Sequence, residues 1–232
     1  MYILAIDTSN QVLGVSILKE NEIIGEFITN LPKNHSVRLM PAIERLMKEV
    51  NVTPKQLERI VVAKGPGSYT GVRIGLTTAK TLAWTLGIPI VGVSSLQVLA
   101  YQGRFFPASI CPFFDARRGL VFTGLYQWNG TALELVADEK NLEMEAWLIE
   151  LAEKKEQVLF LSPDIDIHRE QIQKIMGNLA VIPEGPFHYA NPSHLALAGS
   201  QMDTANVHQL TPNYLRMAEA EANWLKSQKE SK

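Results

Sequence analysis

Ile110-Cys111-Pro112-Phe113-Phe114-Asp115-Ala116-Arg117-Arg118-Gly119 is the stretch on which the fold turns. An apolar run ends in an aspartate and a polar turn, the pattern of a buried strand that stops abruptly. The chain opens the same way, with Tyr2-Ile3-Leu4-Ala5-Ile6 running into Asp7-Thr8-Ser9-Asn10. Two further strands follow in each case. After Asp7 they are Val12 to Leu18 and Glu22 to Thr29, around a turn at Glu20-Asn21. After Asp115 they are Leu120 to Trp128 and Ala132 to Val136, around Asn129-Gly130. Asp7 and Asp115 lie 108 positions apart, as do Asn21 and Asn129. The sequence therefore reads as an internal duplication of a three-stranded meander.

Two such halves imply an α/β protein of the two-lobed actin/Hsp70/sugar-kinase fold, with a duplicated β-meander in each lobe. We expect an N-terminal lobe over 1–103 and a C-terminal lobe over 104–210. A C-terminal helix over 211–232 is expected to pack back on the first lobe. In that fold the first-strand aspartate and its hairpin face a cleft that handles metal and phosphates. Asp7, Thr8 and Ser9 are therefore candidate cofactor contacts, against the plainer reading that Asp7 caps its own turn. A nucleotide clamp also needs glycines in the second hairpin, so that backbone N–H groups approach phosphate closely. Ala116-Arg117-Arg118-Gly119 places two long side chains there. Arg117 and Arg118 either contact an anion directly or form a charged surface turn.

Lys64-Gly65-Pro66-Gly67-Ser68-Tyr69-Thr70-Gly71-Val72-Arg73-Ile74-Gly75-Leu76 joins a strand at Ile60 to Ala63 to a helix running to about Leu86. Its spelling fits neither common phosphate loop. Five residues separate Gly65 from Gly71 and Val72 follows, whereas a Walker loop needs four and then lysine. The dinucleotide fingerprint fails by one residue as well. A structural turn is the default.

Composition adds limits. The 232 residues are 46% hydrophobic and 20% charged, with net charge −2, enough for one large domain or two lobes. No overall basic field exists to hold nucleic acid unaided. Cys111 is the single cysteine and is expected to be a core thiol. No basic leader precedes the first strand, and no apolar run approaches the roughly 20 residues of a membrane span. A cytoplasmic protein with no membrane contact is expected.

The glycine-rich stretch, with Ala79-Lys80, strongly resembles the TsaB (YeaZ) family. So do Ile6-Asp7-Thr8-Ser9, the segment from His35-Ser36 to Leu46, Asp115-Ala116-Arg117-Arg118 and Pro212-Asn213-Tyr214-Leu215-Arg216. The resemblance spans nearly the whole chain in order. It implies a non-catalytic subunit for threonylcarbamoylation of adenosine 37 in tRNAs that read codons starting with A. It further implies pairing with the catalytic paralogue TsaD, with the ATPase TsaE joining, tRNA reached through the complex, and a homodimer when isolated. No metal and no cofactor is expected on this chain alone. The paralogue carries a metal-binding H-x-x-x-H where this chain reads Ser95-Leu96-Gln97-Val98-Leu99, and neither serine nor leucine is a usual ligand.

The family's partner surface lies on two N-lobe helices. The candidate interface is Leu39, Met40, Ile43 and Met47 on the first helix, and Gly71, Ile74, Gly75, Thr78, Ala79 and Leu82 on the second. Core packing is the competing reading for part of this set, and the Met-rich edge is the better interface candidate. Two other functions compete. A nucleotide-dependent ATPase or kinase is opposed by the missing second glycine loop. A peptidase built on Ser68, His35 and Asp7 is opposed by the absence of a G-x-S-x-G elbow. His35, His168, His188, His194 and His208 are expected as caps or surface residues, without the spacing of a helical metal site.

Overall fold

In the computed structural model, residues 1–31 and 34–215 are described. The first half runs β1 (Tyr2–Asp7), β2 (Leu13–Lys19), β3 (Glu22–Thr29), α1 (His35–Glu49), β4 (Leu57–Ala63), α2 (Tyr69–Leu86), β5 (Ile90–Val93) and α3 (Ser95–Ala100). The second repeats the order: β6 (Ser109–Asp115), β7 (Leu120–Trp128), β8 (Leu133–Glu143), α4 (Met144–Glu153), β9 (Val158–Leu161), α5 (Ile165–Met176), β10 (Ala180–Val181) and α6 (Pro192–Ser200). The sheets are ordered β3-β2-β1-β4-β5 and β10-β9-β6-β7-β8, one arrangement written twice. In both, the meander is antiparallel, and the next strand adds parallel to the first through a helical crossover. Asp7 and Asp115 close the equivalent strands β1 and β6.

Alternation along each strand sends side chains to both faces of a sheet, and both are covered. Leu4, Ile6, Val15 and Ile17 meet Leu39, Leu46, Leu76 and Ala79 of α1 and α2. Ile3, Ala5, Val61 and Val91 meet Leu195 and Ala196 of α6 on the opposite face. In the second sheet Cys111, Phe113 and Phe160 pack under Trp147, Leu148 and Ile172 of α4 and α5. The other face presents Ile110, Phe114, Tyr126 and Leu161 to Leu96 and Leu99 of α3, so α3 is the apolar joint between the sheets. Cys111 is fully buried, with Thr123 and the Trp147 indole beside its sulfur. Burial pushes its thiol up to about 11, so it stays a thiol at neutral pH.

The lobe boundary needs correction. Residues 192–200 fall inside the stretch expected for the C-terminal lobe, yet α6 packs on β1, β2 and β4 of the first sheet. Small residues permit it: a Cβ on Gly199 would lie 2.3 Å from Val61, and one on Gly14 would touch Pro192. The chain then stays with the first sheet. Ala205 N–H donates to Ile90 O, Lys80 Nζ donates to Leu210 O at 2.9 Å, and Asn213 N–H donates to Lys64 O. The helix expected at 211–232 otherwise lies outside the described residues.

One element boundary also differs. β8 extends to Glu143 rather than stopping at Val136, with Glu134, Asp138, Lys140 and Glu143 exposed along an edge strand. α5 begins at Ile165, and His168 occupies a core position in its stripe Ile165, His168, Ile172, Met176.

Candidate functional site: the interlobe cleft and the α1–α2 face

A cleft of about 880 Å³ opens between the lobes. Its walls come from the β1–β2 turn (Asn10, Gln11), the amino ends of α1 (His35, Ser36) and α2 (Ser68 to Gly71), and the second lobe (Phe114, Asp115, Arg117, Phe122, Asp164). The glycine-rich stretch thus reaches the cleft, but its glycines answer to the neighbouring turn. A Cβ on Gly71 would lie 2.2 Å from Thr8 O, and one on Gly75 would lie 2.6 Å from Thr8 Oγ1. Thr8 Oγ1 donates to Gly71 O at 2.7 Å, and Ser68 N–H donates to Ser9 O at 2.7 Å. Ser68 Oγ accepts from Gly71 N–H and caps α2. The stretch is a seam that seats α2 against β1 and points its amino end at the cleft.

Asp7, Thr8 and Ser9 are buried beneath this seam and do not line the cleft. Asp7 Oδ1 accepts from both the Ser9 N–H and the Ser9 hydroxyl at 2.8 Å. Burial raises its carboxyl above the usual carboxylate range, opposed by those Ser9 bonds and by His35. The aspartate therefore caps its own turn, as the plainer reading had it. In the second lobe Arg117 lines the cleft and Arg118 does not. Both adopt left-handed backbone, at φ 65° and 57°, ahead of Gly119 at 76°. Arg117 N–H donates to Asp115 Oδ2 at 3.1 Å.

A polar cluster unseen in the sequence sits at the end of β6. His168 Nε2 lies 3.0 Å from Asp115 Oδ1, and Asp164 Oδ2 accepts from Asp115 N–H at 3.0 Å. Burial, the larger cause, raises the Asp164 carboxyl. His168 is 4% exposed and His188 5%, so two of the five histidines are core residues, correcting the expectation of caps and surface positions. His188 is held on both nitrogens, Nδ1 accepting from Ser162 N–H and Nε2–H donating to Pro183 O. The sequence signal was present: a histidine one turn into an apolar helical stripe, after a Ser-Pro-Asp helix start. Among the described residues no group of three or more His, Cys, Asp or Glu side chains could hold a metal ion.

The peptidase constellation does not assemble. Ser68 caps α2, His35 Nε2 pairs with Asn10 O at 2.9 Å, and Asp7 serves Ser9. Ser95 Oγ accepts from Gly65 N–H at 3.1 Å and Leu99 is fully buried. These side chains are structural.

The ten candidate interface residues divide by burial. Leu39, Ile43, Met47, Gly71, Gly75 and Ala79 are buried within the chain, which corrects their reading as surface. Met40 is 49% exposed, and Ile74, Thr78 and Leu82 keep part of their surface. The sequence reading missed Val37 and Trp84, exposed at 70% and 68%. Val37, Met40, Pro41 and Glu44 share one stripe of α1, and Thr77, Thr81 and Trp84 share one of α2. α1 and α2 contact each other, and each carries exposed apolar groups, Val37 and Met40 toward the amino end of α1 and Trp84 toward the carboxyl end of α2.

The duplicated sheets, their parallel crossovers and the cleft between them define a protein of the two-lobed actin/Hsp70/sugar-kinase class. The chain overlays on component A of (R)-2-hydroxyglutaryl-CoA dehydratase from Acidaminococcus fermentans with a TM-score of 0.51 at 12% identity, covering 86% of this chain and 97% of that one. It overlays more closely on an uncharacterized Pseudomonas aeruginosa protein "with similarity to peptidase YEAZ", with a TM-score of 0.80 at 26% identity over 93% and 99% of the two chains. A family model described as TsaD, tRNA N6-adenosine threonylcarbamoyltransferase, matches residues 22–224. The Bacillus subtilis tRNA threonylcarbamoyladenosine biosynthesis protein TsaB is 53% identical over 229 residues, 99% of this chain and 100% of that protein. The Escherichia coli protein of the same name is 31% identical over 145 residues, 59% of this chain and 62% of that protein. The chain belongs to the TsaB family, within the wider group that the TsaD model describes. No helix among the described residues is long and apolar enough to cross a membrane.

Proposed function

We propose that this chain is a non-catalytic subunit of the machinery that makes threonylcarbamoyladenosine at position 37 of tRNAs reading codons that start with A. It binds and supports a TsaD-like catalytic paralogue, a TsaE-like ATPase joins the pair, and tRNA is reached through the complex. The observation that carries this reading is the set of exposed apolar side chains on the contacting helices α1 and α2, namely Val37, Met40 and Trp84. Exposed apolar groups of this kind favour a protein partner, and in isolation they pair two copies of the chain. The packed Ser95 and Leu99 support a chain that holds no metal for the transfer itself. The long side chains of Arg117 and Arg118 oppose a nucleotide clamp, so no cofactor is held by this chain alone.

The test mixes the chain with its paralogue and reads mass by light scattering, alongside a modification assay with this chain omitted. A stable heteromeric complex and loss of modification on omission are expected. Absence of a complex, with modification unaffected by the omission, would end the reading. Calorimetry with Mg–ATP on the isolated chain should show no turnover, and micromolar binding with hydrolysis would favour the ATPase alternative.

A further inference from the structure

We propose that Tyr69, Arg73 and Tyr214 form a stacking site for an unpaired nucleotide of RNA at the mouth of the interlobe cleft. The proposal rests on the tRNA reading above. The three side chains order one another on the surface instead of filling a core. Tyr69 and Tyr214 remain 49% and 45% exposed, yet their rings stack with centroids 5.6 Å apart and planes 25° from parallel. The Arg73 guanidinium lies 3.9 Å from the Tyr69 centroid and 5.7 Å from that of Tyr214, and its Nε–H donates to the Tyr214 hydroxyl at 2.7 Å. These three separations close a triangle, not a line. Arg73 and Tyr214 therefore do not sandwich Tyr69 between them, and about half of its surface stays exposed. Tyr69 is also a wall of the cleft.

Arg73 has no carboxylate partner among the described residues. The amino ends of α1 and α2 line the same cleft, and Arg117 enters it from the second lobe. The acids facing them are engaged, Asp115 by His168 and the Arg117 N–H, Asp164 by the Asp115 N–H. A braced, half-exposed aromatic ring accepts a base of any sequence. A guanidinium with no carboxylate partner among the described residues, beside a helix amino end, accepts the attached phosphate. An acidic peptide would satisfy Arg73 but leave the Tyr69 face unused. A paired base has both faces covered by its own helix, so the occupant is single-stranded.

The test titrates a labelled anticodon stem-loop RNA with the complex of this chain and its paralogue, reading fluorescence anisotropy, with light scattering on the same samples. Tyr69→Ala should weaken RNA binding about tenfold, the scale of one lost base stack, while Tyr69→Phe binds as wild type. Arg73→Met should weaken binding and flatten its dependence on salt. All three variants should keep the mass of the complex. RNA binding by Tyr69→Ala equal to wild type would overturn the site, as would a wild-type complex that binds no RNA. Loss of the complex mass in Tyr69→Ala would instead assign the face to a protein partner and overturn it too. If the wild-type chain fails to pair with its paralogue, the proposed function falls separately. The same titration on the isolated chain then decides the site, a Tyr69→Ala deficit supporting it and equal binding overturning it.

Discussion

Asp7, at the end of β1, is buried behind the cleft wall and serves its own turn. Its carboxylate spends one oxygen on the Ser9 N–H and hydroxyl, under a roof of α2. Burial raises its pKa above the ordinary 3.8, so the folded chain holds that proton more tightly than the unfolded one. The associated stability is complete below 3.8 and is lost as pH rises through the folded value. Asp7→Asn keeps an oxygen for Ser9 and removes the buried charge. The variant should melt above wild type at pH 7, with the gap closing below about pH 4. Paired thermal melts at the two pH values check this, and a lower melting point for the variant at pH 7 would show that the charge is needed for the turn. His168 acts at the same scale through a partner 53 positions away in sequence, Asp115. Nothing local marks that pair, since a lone histidine in an apolar stripe has many uses and only the folded sheet brings β6 to α5.

At the scale of elements, α1 separates what periodicity reveals from what it hides. Apolar residues at helical spacing mark the helix observed at His35–Glu49, and the two meanders are equally legible. The stripe is too wide for one sheet, however, and spacing alone cannot say which edge the sheet takes. Packing decides it, burying Leu39, Ile43 and Met47 and leaving Met40 out. The side of the molecule taken by α6 was illegible for the same reason, because its Ala, Gly and Ser residues suit either sheet. Two adjacent substitutions test the division. Leu39→Ala should cost about 2–5 kcal/mol, the usual loss for a buried leucine. Met40→Ala should stay within about 0.5 kcal/mol in urea unfolding while weakening association with the paralogue. Equal destabilisation by the two would mean that both edges of α1 are core.

For the whole molecule, the question is what sets one lobe against the other. α3 supplies the apolar joint, and Glu139 of β8 supplies a polar one. One oxygen of Glu139 accepts from Ser94, the cap of α3, and from the Tyr126 hydroxyl. The other accepts from Asn213 Nδ2 at 2.8 Å. A single carboxylate thus ties the second sheet to the first lobe and to the returning chain. That chain continues through Asn213 N–H to Lys64 O and through Tyr214 to Tyr69 and Arg73. The lobe boundary is therefore connected by contacts to the amino end of α2, at the edge of the proposed partner face. Removing the carboxylate leaves three donors without their acceptor, a loss on the order of 1–3 kcal/mol. Hydrogen exchange on Glu139→Ala should show protection falling together at α3, at the strand end near Lys64 and at 211–214, with α4 and α5 unchanged. Protection lost at β8 alone would mean that the lobes are held by the α3 joint without help from Glu139, and the returning chain would then be only a cover for the first sheet.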